Sequence, residues 1–243
     1  AASDVYKRQI YNTDDDSLSG AEALIRWNSR KYGFIGPNTF IPLLEDSALI
    51  IPLGRWIINT AAKACNRWIT SIPDFVMHIN LSFVQIVKSN IVKDVLENIE
   101  RYSAANNHYV FEITETIEMD QIPAVQNVFK EFVKNEFRFA IDDFGTGYSN
   151  YGYMRDRTFD IVKVDRSFVT DIDKLKDNYL MVSFIIKMAH EMGLHVCIEG
   201  VETKEELSCV KKLGADYIQG YYYGKPVCLQ DFEEQHLKRF VLG

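Results

Sequence analysis

The chain has 243 residues, of which 47% are hydrophobic, and its 27 Lys and Arg against 34 Asp and Glu give a formal net charge of −7. This composition is typical of a globular protein and argues against disordered, collagen-like and coiled-coil structure. The acidic balance argues against non-specific binding of duplex nucleic acid, and no apolar run approaches the roughly 18 residues of a membrane span.

Residues 1–9 are predicted to be a non-native leader. The segment from Asp4 to Gln9 resembles the translation of a transposon-end adapter used in preparing sequencing libraries. No apolar core follows its basic residues, so it does not have the pattern of a secretory signal. We therefore expect the native sequence to begin near Ile10, with residues 10–243 forming one domain whose first strand is cut short.

After residue 10, apolar runs of strand type alternate with helix-length segments of 3.6-residue periodicity. The predicted strands are residues 21–27, 75–81, 109–114, 137–141, 160–164, 194–198 and 217–219. The predicted helices between them are residues 53–68, 91–102, 123–134, 180–192 and 205–213. An eighth strand would begin or end at Ile10 and Tyr11.

Strand–helix alternation along a whole chain predicts an α/β fold with a parallel sheet covered by helices. Eight strands favour a single (β/α)8 barrel of the TIM type, in which the sheet closes on itself. An open doubly wound sheet is the alternative, although the sequence contains no GxGxxG motif that would support it.

Polar residues lie within or directly after these strands, where a strand core would favour apolar side chains. They are Glu22, Asn80, Glu112, Asp142, Asp143, Lys163, Asp165, Glu199, Glu202 and Gln219. The carboxyl ends of barrel strands meet at one mouth, so we expect these groups to converge there. Converging carboxylates repel one another unless a cation lies among them, and oxygen ligands suit magnesium or manganese better than zinc.

Each of these residues also has a simpler interpretation. An Asp or Asn at a strand end often caps the next helix. Glu199 and Glu202 fit a solvated first helical turn, and Lys163 fits a structural ion pair. Separate caps on six or seven consecutive strands explain the whole set poorly. The adjacent Asp142 and Asp143 would let one carboxylate bridge two metal ions while its neighbour holds the second.

Two glycines within the five residues from Gly145 to Ser149 predict a loop whose backbone can approach a ligand. The loop lacks the terminal Lys-Ser/Thr of a nucleotide P-loop.

Among the histidines, His78 would face the same side of its strand as Asn80, although packing is the favoured interpretation. The tyrosines at 221–223 would stack on bases or pack at the barrel rim.

These residues together resemble the EAL domain family over about residues 10 to 243. The matching motifs are EALIRW (22–27), NLS (80–82), EITE (112–115), DDFGTGYS (142–149), KVDR (163–166), EGVET (199–203) and QGY (219–221). The resemblance implies the EAL variant of the β/α barrel. It also implies hydrolysis of cyclic di-GMP to linear 5′-pGpG by a two-metal mechanism with two Mg²⁺ or Mn²⁺ ions, in bacterial second-messenger signalling.

The resemblance implies a role for each matching residue. The implied metal ligands are Glu22, Asn80, Glu112, Asp142, Asp143 and Glu199. Glu22 and Glu199 would also be catalytic, together with Lys163, which would orient the attacking water or neutralise the phosphate. The implied substrate contacts are Leu24, Arg26 and Gln219. The implied supporting residues of the loop and the outer shell are Glu115, Glu202, Gly145, Gly147 and Ser149.

A cyclic di-GMP receptor that does not cleave the dinucleotide is the alternative function. Such relatives typically lack one or more metal carboxylates, and none is missing here. The implied partners are cyclic di-GMP, a second copy in a homodimer, and an upstream GGDEF or sensory domain, with neither duplex nucleic acid nor membrane contacted by this domain. The implied location of the domain is the cytoplasm. In the full-length gene product, the domain would remain cytoplasmic even if it were tethered to a membrane protein. Four cysteines without CxxC spacing likewise favour a reducing compartment.

Overall fold

The structure, a computed structural model, describes residues 2–114, 122–146 and 158–237. Its strands are β1 (Ala2–Asn12), β2 (Leu18–Ser29), β3 (Gly33–Ile35), β4 (Val76–Asn80), β5 (Tyr109–Thr114), β6 (Arg138–Phe144), β7 (Ile161–Val164), β8 (His195–Glu199) and β9 (Tyr217–Gln219). Its helices are α1 (Pro37–Asp46), α2 (Ile50–Trp68), α3 (Phe83–Lys88), α4 (Ile91–Ile99), α5 (Pro123–Lys134), α6 (Lys176–Glu191), α7 (Lys204–Leu213) and α8 (Leu229–His236). All predicted strands and helices from residue 21 onwards are present to within a few residues.

Eight strands close into a barrel. The sheet order is β1-β9-β8-β7-β6-β5-β4-β2-β3, and an additional pairing of β1 with β2 completes the ring and leaves the short β3 outside it. The predicted barrel is therefore confirmed. Strand β1 differs from the expected parallel arrangement, because it runs antiparallel to both β2 and β9. Residues 13–17, which join β1 to β2, are too few for the helical crossover that a parallel pair requires.

Strand β1 includes most of the predicted leader. Ile10 and Tyr11 lie near its end, and the residues before them pair with β2 in a register that sets Arg8 opposite Glu22. Val5, Lys7 and Gln9 are buried. The strand thus has a full length of 11 residues, because the segment 2–9 supplies its first part. The non-native origin of residues 1–9 stays a prediction.

The helices cover the outside of the barrel with apolar side chains. Helix α2 buries residues at helical spacing, among them Ile57, Ala61 and Trp68. The Trp68 ring stacks on Phe232 of α8 with ring centroids 4.4 Å apart. Each such large apolar side chain contributes about 1.5–3 kcal/mol when it is removed from water. In the described part of the chain, none of the helices combines the length and the apolar content needed to cross a lipid bilayer.

Lys7 is an unusual member of this core. Its side chain is fully buried, and its Nζ donates one hydrogen bond, to the backbone oxygen of Val5 at 2.8 Å. Burial lowers the pKa of Lys7 from 10.5 to about 8, against a smaller opposing effect of Asp4. A buried ammonium group whose hydrogen bond goes to a neutral carbonyl destabilises the fold.

Replacing Lys7 with Met should raise the free energy of unfolding near neutral pH by about 1–3 kcal/mol, since one pKa unit corresponds to roughly 1.4 kcal/mol. Between the folded pKa of about 8 and the unfolded value of 10.5, only the unfolded chain keeps the proton. The stability of the unmodified chain should therefore rise with pH across this window, and that of Lys7→Met should not.

Urea denaturation at neutral and alkaline pH measures both effects. Lys204→Met, at an exposed position in the first turn of α7, is the control and should change neither quantity. Equal stability of Lys7→Met and the unmodified chain at neutral pH would contradict the prediction.

Candidate active site

Seven polar side chains from seven strands of the barrel converge at one end of its interior. They are Glu22, Asn80, Glu112, Asp142, Lys163, Glu199 and Gln219. The strand register sets them at similar heights, with Asn80 opposite Glu112 and Glu199 opposite Gln219. Successive residues of a strand point to opposite faces, so their neighbours in sequence pack outwards against the helices.

Lys163 is the buried cation at the centre of this cluster. Its Nζ lies 2.8 Å from both Glu112 Oε1 and Glu199 Oε1, and 2.9 Å from Asp142 Oδ1. Glu22 Oε2 is 4.0 Å away. Burial alone would lower the pKa of Lys163, but the four carboxylates outweigh it and hold this pKa well above its ordinary value. The amine therefore stays charged although only 1% of its side chain is exposed.

Glu22 is held by hydrogen bonds at both oxygens. Oε1 accepts a hydrogen bond from Asn80 Nδ2 at 2.8 Å, and Oε2 accepts one from Gln219 Nε2 at 3.0 Å. Arg8 Nη1 of β1 lies 3.6 Å from Oε2. Burial alone would raise the pKa of Glu22, whereas Lys163 and Arg8 lower it to about 2. Glu22 is therefore an ionised carboxylate in a fixed orientation.

Gln219 bridges two carboxylates that lie on different strands. Besides Glu22, its Nε2 donates to Glu199 Oε1 at 2.9 Å. Strands β2 and β9, which carry Glu22 and Gln219, are not neighbours, because β1 lies between them. The amide therefore joins carboxylates across β1, the strand that completes the barrel.

Among the described residues, the remaining carboxylates outnumber the cations near them. Burial raises the pKa of Glu112 well above its usual range and that of Glu199 to about 7. Burial and the neighbouring Asp142 raise the pKa of Asp143 to about 6. One lysine does not compensate this charge, so additional positive charge at the cluster would favour the ionised forms.

Glu112 has an asymmetric environment. Lys163 Nζ and His78 Nδ1 each lie 2.8 Å from Oε1 of Glu112. Burial lowers the pKa of His78 to about 3, so the ring is neutral near pH 7 and makes its hydrogen bond to Glu112 through Nδ1. The other oxygen of Glu112, Oε2, is buried and has no hydrogen-bond partner among the described residues.

The cluster fits a divalent cation. Ligand oxygens of Asp142, Asp143 and Glu199 lie within 4.8 Å of one another. The buried Oε2 of Glu112 offers a further unpaired acceptor. Carboxylate oxygens without a Cys or His among them match the preference of Mg²⁺ and Mn²⁺ rather than that of zinc.

The predicted substrate residues follow Glu22 along β2. Leu24 and Arg26 lie two and four residues further on and share its face of the strand. Both are half-buried, and Arg26 Nη1 donates to the backbone oxygen of Ile25 at 2.9 Å. The pKa of Arg26 is lowered by burial and by Arg8. A guanidinium group thus lies on the strand segment beyond the carboxylates.

Of the predicted supporting residues, the structure describes Gly145 and Glu202. Glu115, Gly147 and Ser149 lie outside the described residues, and their roles stay predictions. Gly145 has a φ of 95°, and a Cβ atom there would lie 2.7 Å from the Phe168 ring, so the position requires glycine. Glu202 is exposed, and its backbone N–H donates to Glu206 Oε2. Its role also stays a prediction.

The sequence pattern predicts no part in the site for Arg8 and favours a packing role for His78. Arg8 belongs to the predicted leader, and only the antiparallel register with β2 sets it opposite Glu22. For His78, the available signal was its position two residues before Asn80, which predicts the same face of the strand. Its partner, Glu112, is in the next strand and is identified only by the register of β4 with β5.

Replacing Lys163 with Met should lower the free energy of unfolding in a chelator-containing buffer by about 3–5 kcal/mol, because buried carboxylates lose their shared cation. Added Mn²⁺ should restore part of this loss. Urea denaturation followed by tryptophan fluorescence measures both quantities. Lys187→Met on the exposed surface of α6 is the matched control. An unchanged unfolding free energy of Lys163→Met would contradict the central position of this lysine.

Comparison with known sequences identifies related proteins. The EAL domain model matches residues 6–226. The cyclic di-GMP phosphodiesterase PdeL of Escherichia coli is 32% identical over 213 residues, which cover 86% of this chain and 58% of PdeL. The bifunctional diguanylate cyclase/cyclic di-GMP phosphodiesterase MucR of Pseudomonas aeruginosa is 31% identical over 211 residues, covering 86% of this chain and 31% of MucR. The chain spans only 35% and 45% of the length of two further curated relatives that it matches.

Solved structures show the same fold. The EAL enzyme Bd1971, in the form bound to cAMP and cyclic di-GMP, superposes with a TM-score of 0.91 at 34% identity. The superposition covers 96% of this chain and 64% of the Bd1971 chain. The family model, the relatives at over 30% identity and the shared barrel agree, and the chain belongs to the EAL domain family.

Proposed function

We propose that the chain is a metal-dependent phosphodiesterase that hydrolyses cyclic di-GMP to linear 5′-pGpG in bacterial second-messenger signalling. The observation that carries the proposal is the buried carboxylate cluster around Lys163, in which, among the described residues, acidic groups exceed cations and one oxygen of Glu112 has no partner. The names of PdeL and MucR, and the cyclic di-GMP bound to Bd1971, support this choice of substrate.

The proposed cofactors are two Mg²⁺ or Mn²⁺ ions. The residues that would hold them are Glu22, Asn80, Glu112, Asp142, Asp143 and Glu199. When bound, such ions lower the pKa of a coordinated water and offset negative charge on the phosphoryl oxygens. The adjacent carboxylates Asp142 and Asp143 support the proposal of two ions rather than one.

The protein itself would contribute orientation and fixed charge. Asn80 and Gln219 donate hydrogen bonds to the two oxygens of Glu22, which would hold this proposed ligand in one orientation. Lys163 stays protonated and offsets the charge of the cluster where the phosphate would lie. Preorganised charges of this kind stabilise a transition state without reorganisation during the reaction.

The mouth of the barrel would bind the remainder of the dinucleotide. Arg26 offers a guanidinium group, which suits a phosphate because it presents paired N–H donors. Leu24, on the same face of β2, would contact a guanine base through its apolar side chain. Both contacts lie on the strand that also carries Glu22, so metal ligand and substrate contacts are fixed to one rigid element.

We further propose that the chain acts as one domain of a longer cytoplasmic signalling protein. MucR, which is named as a diguanylate cyclase and a phosphodiesterase, is matched over only 31% of its length, and this supports an upstream GGDEF or sensory domain. All four cysteines are free thiols, which supports a reducing compartment.

Purified protein incubated with cyclic di-GMP and Mn²⁺ should produce linear pGpG, detected by chromatography. Glu22→Gln should lower turnover by at least about 100-fold, since even partners outside the ligand shell cost about 10–100-fold. Glu97→Gln on the exposed surface of α4 is the control and should keep full turnover.

Two outcomes would contradict the proposed activity. Tight binding of cyclic di-GMP without pGpG would identify a receptor instead of an enzyme. Turnover of Glu22→Gln at the rate of the unmodified chain would remove Glu22 from the ligand set.

The proposed homodimer is supported by exposed apolar side chains on α6. Leu180, Met181 and Phe184 are exposed, Phe184 to 58%. Phe184→Asp should shift the protein from dimer to monomer, because dimerisation would then bury a charge. Sedimentation velocity measures the change, with Leu43→Asp on the exposed surface of α1 as the control. A monomeric unmodified chain, or an unaffected dimer in Phe184→Asp, would contradict this interface.

A further inference from the structure

His78 is a buried polar residue in a strand that is otherwise largely apolar. It lies in the middle of β4, opposite Glu22 of β2 and Val110 of β5, and only 4% of it is exposed. Met77 and Ile79, on either side of it, are fully buried apolar residues. An imidazole at such a position needs a hydrogen-bond partner, because an unpaired buried polar group is destabilising.

The partner of His78 is Glu112, one of the proposed metal ligands. The distance from His78 Nδ1 to Glu112 Oε1 is 2.8 Å, and both side chains are almost completely buried. Glu112 must be ionised to bind a cation, and an ionised carboxylate only accepts hydrogen bonds, so the imidazole is then the donor, through Nδ1. The contact lies between adjacent parallel strands, which fixes the position of both groups.

Lys163 also contacts Glu112 Oε1, but it contacts three other carboxylates as well. A shared ammonium group with three rotatable donors adapts to whichever carboxylates surround it. The bond from His78 is directional and, among the described residues, is made to Glu112 alone. Both contacts are made at Oε1, and Oε2 of Glu112 has no hydrogen-bond partner in the part of the chain that the structure describes.

We propose that His78 is a positioning residue of the metal centre, which fixes Glu112 through Oε1 so that Oε2 remains free for a divalent cation. The inference rests on the proposed function in that it takes the carboxylate cluster as a metal site. Hydrogen bonds from outside the ligand set orient ligands and strengthen metal binding by about 10–100-fold.

The test measures Mn²⁺ binding by calorimetry in the absence of any nucleotide. His78→Val removes the donor and suits a buried strand, whereas His78→Asn keeps an N–H close to the position of Nδ1. We expect the Kd for Mn²⁺ to rise about 10–100-fold in His78→Val and to stay within about threefold in His78→Asn. His78→Leu is a second apolar variant if His78→Val does not fold.

His108→Asn is the matched control. In the unmodified chain, Nδ1 of His108 also lies 2.8 Å from an oxygen, but that oxygen belongs to the backbone of Phe75, outside the carboxylate cluster. The Mn²⁺ affinity of this variant should be unchanged. In turnover assays, His78→Val should require more Mn²⁺ for half-maximal activity at an unchanged KM for cyclic di-GMP.

A purely structural role for His78 predicts a different pattern. The unfolding free energy of His78→Val would fall, while the folded fraction would bind Mn²⁺ with unchanged affinity, and this result would overturn the proposal. Equal losses in His78→Val and His78→Asn would overturn it too, because the N–H donor would then be irrelevant. Mn²⁺ binding without hydrolysis of cyclic di-GMP would refute the proposed activity and leave the assignment of His78 intact.

Discussion

One buried ammonium group, that of Lys163, determines how the carboxyl ends of the barrel strands are arranged. Four carboxylates from β2, β5, β6 and β8 surround it, three of them within hydrogen-bonding distance. Like charges that are removed from water repel strongly, so this arrangement is stable only while a cation lies among them. Within the described ranges one lysine does not balance these carboxylates, and the remaining negative charge makes this end of the barrel a favourable place for further cations.

The apolar residues of the strands pack tightly around this concentration of charge and offset its cost. Directly around Glu112, the residues Phe111 and Ile113 are buried against the helix layer, and the same alternation holds in the neighbouring strands. Strands β2 and β4 to β9 therefore each present at least one polar group to the interior, with two on β4 (His78 and Asn80), and anchor it with apolar neighbours on the other face. This packing and the hydrogen bonds of Asn80 and Gln219 hold the carboxylate cluster in place.

The sequence predicts the barrel well because its strands and helices differ clearly in periodicity and because polar residues interrupt the strands at one end. It predicts cross-strand contacts poorly. The contact of His78 with Glu112 depends on the register of two strands separated by about thirty residues of chain, and no local pattern reports it. The antiparallel direction of β1 was missed because the pairing residues were attributed to a leader. The partner of Arg8 was missed for the same reason.

The bridge made by Gln219 has a consequence for local unfolding. Glu22 and Glu199 belong to strands on opposite sides of β1, and the amide between them holds only while β1 keeps the barrel closed. Detachment of β1 would separate these two carboxylates, although no residue of the cluster belongs to β1 itself. Closure of the barrel and assembly of the carboxylate cluster are therefore coupled, so the fraction of molecules with a closed barrel sets an upper limit on the fraction with an assembled cluster.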